Sequence, residues 1–285
     1  MDSTAPDASS SRPLILVTND DGATAPGIRA LAEAMLPLGD VIVVAPDKPQ
    51  SGMGHAITIN APIFVHPVRD FGEIKAWACS GTPVDCVKLA RDVVLHRRPD
   101  LCVSGINHGA NSSINVIYSG TMSAAMEAAI EGIPAIGFSL LDYSHHADFT
   151  AASEYAASIA RQVLEHGIPK GVLLNVNIPA LPAEKILGIR LCRQANAKWV
   201  EEFVERTDPR GRKYYWLTGR FENYDEGHDA DETALRDGYV SVVPVGFDFT
   251  AYQAMAHFQE HYAFQRAAGT AAAATQPAEP DAATR

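Results

Sequence analysis

The first fifty residues contain a crossover unit, and it constrains the fold more than any other feature. Leu14-Ile15-Leu16-Val17-Thr18 is an unbroken strand-forming run that ends in Asn19-Asp20-Asp21-Gly22. Ala25-Pro26-Gly27 and a helical pattern from Ile28 to Leu36 follow, and Asp40-Val41-Ile42-Val43-Val44-Ala45-Pro46 is a second β-branched run. Apolar runs without alternation are strands buried on both faces, and two of them joined by a helix within about 30 residues form a βαβ unit. Parallel strands cannot be closed by a tight turn, so such a chain grows a sheet with helices packed on its faces.

The pattern continues. Strands are predicted at Ile74–Ala78, Asp100–Gly105, Pro134–Leu140 and Gly171–Val176, and helices at Pro83–Leu95, Met122–Ile130 and Ala151–Glu165. Thr82 and Pro83 are the N-cap and first position of one helix. Residues 13–180 therefore predict an α/β fold, a Rossmann-like three-layer α/β/α core with a mostly parallel sheet. His55–Ile59 and Ile63–Val68, separated by Asn60-Ala61-Pro62, read as a hairpin inserted into that frame.

Beyond 180 the character changes. Gly188–Cys192, Trp199–Arg206, Arg212–Thr218 and Gly238–Val245 are β-prone, and Asp208-Pro209-Arg210-Gly211 joins the middle two in a protruding hairpin over about 195–220. Its aromatics need a partner, because a lone hairpin leaves them in water. The expected organisation is a tail over 1–12, an α/β domain over 13–250 that includes the hairpin, a C-terminal helix over 251–266 and a disordered tail over 267–285.

Four loops fall at strand ends or a helix start: Asn19-Asp20-Asp21-Gly22, the loop with Ser51, the loop with Asn107, and Ser119-Gly120-Thr121. In a parallel sheet these share one edge. Asp20 and Asp21 offer hard anionic oxygens and Ser51 and Asn107 neutral ones, a set suited to Mg²⁺ or Mn²⁺. Ser119, Gly120 and Thr121 at a helix N-terminus offer hydroxyls and amides for a phosphate. Each piece also has a plainer reading: Asn-Asp-Asp-Gly is a good turn, Ser51-Gly52 a common loop pair, and Ser119 a helix cap.

Taken in order, these residues resemble the SurE nucleotidases, the stationary-phase survival proteins. The matching pieces are Asn19-Asp20-Asp21-Gly22 with Ala25-Pro26-Gly27-Ile28, Val44-Ala45-Pro46-Asp47 with Ser51-Gly52, and Gly81-Thr82-Pro83-Val84-Asp85. Further pieces are Val103-Ser104-Gly105-Ile106-Asn107-His108-Gly109-Ala110-Asn111, Val116-Ile117-Tyr118-Ser119-Gly120-Thr121, Leu174-Asn175-Val176-Asn177-Ile178-Pro179 and Gly238-Tyr239-Val240-Ser241-Val242. The resemblance spans about 14–255 and implies a SurE-like metal-dependent phosphatase, a 5′-nucleotidase acting on nucleoside 5′- and 3′-monophosphates. It implies one divalent cation per subunit on Asp20, Asp21, Ser51 and Asn107, with Asp20, Asp21 and Asn107 catalytic. Gly52, Asn111, Ser119, Gly120 and Thr121 would surround the phosphate. It also implies a homodimer or homotetramer with the hairpin or the C-terminal helix exchanged. The chain departs from the family pattern at Ser112-Ser113-Ile114-Asn115, where a Gly and acidic residues are frequent, at Gln50, where a basic residue is frequent, and across 222–234.

Other classes fit less well. The formal net charge of −11 weighs against nucleic acid or an anionic membrane as partner. No apolar run approaches the ~20 residues of a membrane span, and Met1–Arg12 has no signal core, so a cytoplasmic protein is expected. Cys79, Cys86, Cys102 and Cys192 lack metal spacing and read as buried thiols. His257-Phe258-Gln259-Glu260-His261 spells H-x-x-E-H, but no third ligand is apparent and a solvated or subunit-contact face explains it. His145, His146 and His228 read as surface, whereas His108 lies beside the proposed site. An oxidoreductase lacks its G-x-G-x-x-G after the first strand. A phosphatase of polyphosphate or another phosphomonoester, and a non-catalytic nucleotide-binding protein, are the remaining alternatives.

Overall fold

The computed structural model describes residues 12–144 and 146–262 and divides into two compact units, one ending at Phe247 and one beginning at Asp248. His145, both predicted tails (Arg12 apart) and the last residues of the predicted C-terminal helix lie outside the described residues.

The first unit is built on a nine-stranded sheet. Its strands are β1 (Leu14–Thr18), β2 (Asp40–Pro46), β3 (Val65–Val68), β4 (Lys75–Cys79), β5 (Leu101–His108), β6 (Ala135–Leu140), β7 (Val172–Ile178), β8 (Ile189–Leu191) and β11 (Val240–Gly246). They lie in the order β3-β4-β2-β1-β5-β6-β7-β11-β8. Six consecutive members, β4 to β7, are parallel, and β3 and β11 join them antiparallel at either side. The predicted three-layer core is thus the observed one.

The helices are α1 (Pro26–Met35), α2 (Pro83–Leu89, continued by a π turn over Ala90–Val94), α3 (Asn115–Tyr118), α4 (Gly120–Ile130), α5 (Thr150–His166) and α6 (Asp231–Arg236). Side chains alternate across β1, so Ile15 and Val17 join a core with Ile28, Leu31 and Met35 of α1 and Ala152, Ala156 and Ile159 of α5. Leu14 and Leu16 join the opposite core with Cys86 and Val87 of α2 and Met122, Ala125 and Ala128 of α4. All four cysteines are buried free thiols.

Two expectations are corrected. His55–Ile59 does not form the first arm of a hairpin; β3 pairs instead with β4, Val65 opposite Cys79 and Val68 opposite Ala76. The 55–58 stretch has other partners: Thr58 N–H donates to Asp85 Oδ1 (3.1 Å), the Thr82 hydroxyl donates to the Ala56 carbonyl (2.7 Å), and His55 Nε2 lies 2.9 Å from Glu127 Oε2. These polar contacts with α2, its cap and α4 hold the stretch, not strand pairing, and Ile57 and Ile59 stay exposed. Second, β5 continues past Gly105 to His108, with a register shift against β6 between Ser104 and Asn107. This irregularity carries Asn107 and His108 to the C-terminal edge of the sheet.

The predicted hairpin is present and longer, β9 (Ala197–Thr207) against β10 (Lys213–Asn223). Asp208 closes its turn by accepting from the N–H groups of Arg210 and Arg212, each at 2.9 Å. Its flanks leave Phe203, Trp216 and Leu217 exposed. The second unit contains α7 (Tyr252–His261), which has no buried residue. His257 and His261 stack edge-on there, and among the described residues no group of three or more His, Cys, Asp or Glu is placed to hold a metal. No helix among the described residues is long and apolar enough to cross a membrane.

Candidate active site

Strand order reverses at β1: β2 and β4 lie to one side, β5, β6 and β7 to the other. The crevice outside the strand ends at such a switch point is where open α/β sheets bind ligands. β1 delivers Asp20 and Asp21 there, and β5 delivers Asn107 and His108.

The double-aspartate turn is held from beneath by Asn19. Its side chain is 1% exposed, donates to the Gly22 carbonyl at 3.0 Å and accepts from the Gly22 N–H at 3.2 Å. Gly22 takes φ 98°, a conformation open to glycine, which lets the turn close under two carboxylates.

Asp20 is 4% exposed. The Thr121 hydroxyl donates to its Oδ1, and the Thr121 N–H at the start of α4 also faces its carboxylate. Gly120 completes the support. A β-carbon at Gly120 would lie 2.6 Å from Asp20 Cβ and 2.8 Å from Oδ2, so only a bare backbone fits. Burial nonetheless pushes the Asp20 carboxyl up to about 6; the Asp21 charge raises it too, against the lowering pull of Thr121. Asp21 is less buried, and its Oδ2 lies 3.5 Å from His108 Nδ1 and accepts weakly from the His108 N–H (3.4 Å). The His108 ring is steadied edge-on by Phe149, 5.0 Å between centroids.

The other expected ligands border this pair. The Gln50 N–H donates to the Asp20 carbonyl at 2.8 Å, which brings Ser51 and Gly52, in an exposed turn, beside it. The Gly54 N–H donates to the Tyr118 carbonyl at 3.3 Å, joining that loop to the approach to α4. Asn107 commits its amide nitrogen to the carbonyls of His108 (3.2 Å) and Gly109 (2.8 Å), which leaves its amide oxygen to act as a donor atom for a cation. Among the described residues no Lys or Arg pairs with Asp20 or Asp21. Two adjacent carboxylates, one buried and neither paired with a Lys or Arg among the described residues, with neutral oxygens at their rim, are the chemistry of a hard-cation site.

The residues expected at phosphate are placed less uniformly. Ser119 caps α4, its Oγ accepting from the Met122 N–H at 3.0 Å, and so retains its own proton. The Thr121 hydroxyl serves Asp20. Asn111 is buried in a polar network. Its N–H donates to Asn177 Oδ1, its carbonyl accepts from Asn175 Nδ2, and its Nδ2 donates to Ser139 Oγ, each at 2.8 Å. Motif reading includes Asn175 and Asn177 in a matching piece without giving them a role, and it does not single out Ser139. The available signal was two asparagines at i, i+2 in the otherwise apolar strand Val172–Ile178, on one face of it.

Residues 15–201 match the family model described as survival protein SurE. The chain is 67% identical over 243 residues to a protein named 5′-nucleotidase SurE from Christiangramia forsetii, covering 85% of this chain and 94% of that one. It is 60% identical to the protein of the same name from Flavobacterium psychrophilum, over 86% and 96% of the two chains. Its fold matches the crystal structure of SurE protein from Aquifex aeolicus with a TM-score of 0.76 and 39% identity, over 87% of this chain and 99% of that one.

Proposed function

The chain belongs to the SurE family, and from that premise we propose that it is a divalent-metal-dependent phosphatase, hydrolysing nucleoside 5′-monophosphates, and also 3′-monophosphates, to nucleoside and phosphate. It is an enzyme of the 5′-nucleotidase type, the activity named for its relatives. The observation that carries the metal dependence is the Asp20–Asp21 pair at the switch point, a concentration of negative charge that no Lys or Arg among the described residues pairs with, His108 lying 3.5 Å from Asp21. A phosphate monoester dianion would be repelled from this crevice unless a cation stands between them.

Asp20, Asp21, Ser51 and Asn107 would hold Mg²⁺ or Mn²⁺, one per subunit. When bound, such a cation supplies Lewis acidity to a phosphoryl oxygen and raises the acidity of water in the site. The chain's own groups do the rest. Asp20, fixed by Thr121, anchors the charge of the site. Asp21, less buried and beside His108, is the carboxylate open to an attacking water and accepts its proton. The retained Ser119 proton, the Gly120 amide and Gly52 face the phosphate as charge grows on its oxygens. Asn111 fixes the rim on the β5 side. The exposed aromatic hairpin supports a homo-oligomer, a dimer or tetramer, with β9–β10 or the C-terminal helix exchanged between subunits. The protein acts in the cytoplasm on small nucleotides, not on nucleic acid or membranes.

The test is phosphate release from a panel of 5′- and 3′-nucleoside monophosphates, polyphosphate and simple phosphomonoesters, each with Mg²⁺, Mn²⁺ or chelator. Preferential turnover of nucleoside monophosphates with metal supports the reading. Faster turnover of polyphosphate, or nucleotide binding without release, moves it to the corresponding alternative.

A further inference from the structure

Ser113 is the one non-glycine residue among those described with a positive φ, 53°. That left-handed conformation is disfavoured for any residue with a β-carbon, so its neighbours must hold it. They are unusual. Asp231, at the start of α6, is 0% exposed, and its Oδ2 accepts from the Ser113 N–H at 2.8 Å. Its Oδ1 accepts from the N–H groups of Ala195 (2.9 Å) and Glu232 (2.8 Å). Among the described residues no Lys or Arg pairs with it. Ser113 Oγ lies 2.8 Å from the Ala195 carbonyl and 3.2 Å from that of Ala197, at the base of the hairpin. The neighbouring Ser112 hydroxyl donates to Glu232.

The place of this corner in the chain gives it a role. Two residues upstream, Asn111 is pinned to β6 and β7 through Ser139, Asn175 and Asn177. Two residues downstream, Asn115 begins α3, which leads directly into Ser119, Gly120 and Thr121, the residues that press on Asp20. With one side pinned, a change of handedness at Ser113 must be taken up on the other, by α3 and the start of α4.

We propose that Asp231 is a positioning residue of the active site, holding Ser113 left-handed and so setting the start of α4 against Asp20. The proposal rests on the reading of this crevice as the nucleotidase site. Asp231 touches no reacting atom; it acts through the corner it fixes.

The test measures hydrolysis of a nucleoside 5′-monophosphate with Mn²⁺, and thermal midpoints, for the full chain and four variants. Asp231→Ala is expected to lower kcat/KM by about tenfold or more, the scale of a misplaced catalytic group. Ser113→Gly alone stays within about twofold of the parent, because glycine adopts this φ without support. In the Asp231→Ala background Ser113→Gly recovers at least half of the lost decade, while the midpoint stays at that of Asp231→Ala. A merely structural role does not produce that split. Ser113→Val leaves Asp231 in place and loses about tenfold through its β-branched side chain, which decides the matter if Asp231→Ala does not fold. Full activity of Asp231→Ala, a loss that Ser113→Gly leaves unchanged, or a fully active Ser113→Val overturns the proposal. An inactive parent chain counts instead against the nucleotidase reading. The crystal structure of Asp231→Ala then decides: a right-handed Ser113 supports the proposal and an unchanged one overturns it.

Discussion

Replacing Asp20 by Asn removes a charge that the folded chain holds at a cost. The Asp20 carboxyl moves from its ordinary 3.8 to about 6 on folding, through burial first and the Asp21 charge second. At 1.36 kcal/mol per unit the displacement corresponds to roughly 3 kcal/mol. The sign follows from proton uptake. Between about pH 4 and 6 the folded state binds more protons at this position than the unfolded state, so stability of the metal-free protein falls as pH rises through that window. Above about pH 6 the loss is complete, and below about pH 4 it is absent. Asp20→Asn keeps a carbonyl to accept from Thr121 but has no charge to bury. In chelator the variant is therefore expected to match the parent near pH 4 and to exceed it by up to roughly 3 kcal/mol at pH 8, a midpoint difference of about 6–12 °C. Urea unfolding in EDTA across that pH range measures it. Added Mn²⁺ should then reverse the order, because it stabilises only the chain with both carboxylates. A variant less stable than the parent at pH 8 in chelator, or a difference that ignores pH, would refute the argument that burial of this charge awaits a cation.

Three further outcomes follow from the geometry. Gly120→Ala sets a β-carbon against Asp20; kcat/KM should fall at least about tenfold with the far-ultraviolet spectrum unchanged. Glu127→Gln breaks the buried contact with His55 and Lys88, which together hold the Glu127 carboxyl below its ordinary 4.5. It should cost about 1–2 kcal/mol in thermal unfolding at pH 7, a cost that disappears as pH falls below the ordinary glutamate range, since the parent loses the same contribution on protonation. Phe203→Glu with Trp216→Glu on the exposed hairpin should lower the assembly mass seen by light scattering; an unchanged mass points to exchange through the C-terminal helix.

The sequence was most informative where structure is local. The run Leu14–Thr18 and its parallel partner Asp40–Pro46 could only be buried strands, and Thr82-Pro83 capped a helix as drawn, with Asp85 completing the capping box. The two-aspartate turn was visible because a charge pair at a strand end has no packing reason to exist. What escaped reading depends on contacts distant in sequence. His55–Ile59 reads as strand from its alternation, yet it is held by polar contacts with Thr82, Asp85 and Glu127, more than twenty residues on. The extension of β5 to His108 arises from a shift in pairing with β6 that no local propensity encodes. Thr121 reads as a cap or phosphate ligand, yet it supports a carboxylate 101 residues earlier. Asp231 reads as one more acid in an acidic stretch, and only the fold shows its carboxylate buried and bonded to three backbone N–H groups.

In the proposed reaction this crevice hydrolyses nucleotides through the two aspartates and a divalent cation. Its most direct test is phosphate release from a nucleoside 5′-monophosphate by chelator-treated protein before and after Mn²⁺ is restored, with Asp21→Asn in parallel. The expected results are no release in chelator, recovery on adding Mn²⁺, and a loss of at least about 10²-fold in the folded variant at every metal concentration. Turnover that persists in chelator, or near-parental turnover by Asp21→Asn, would contradict it.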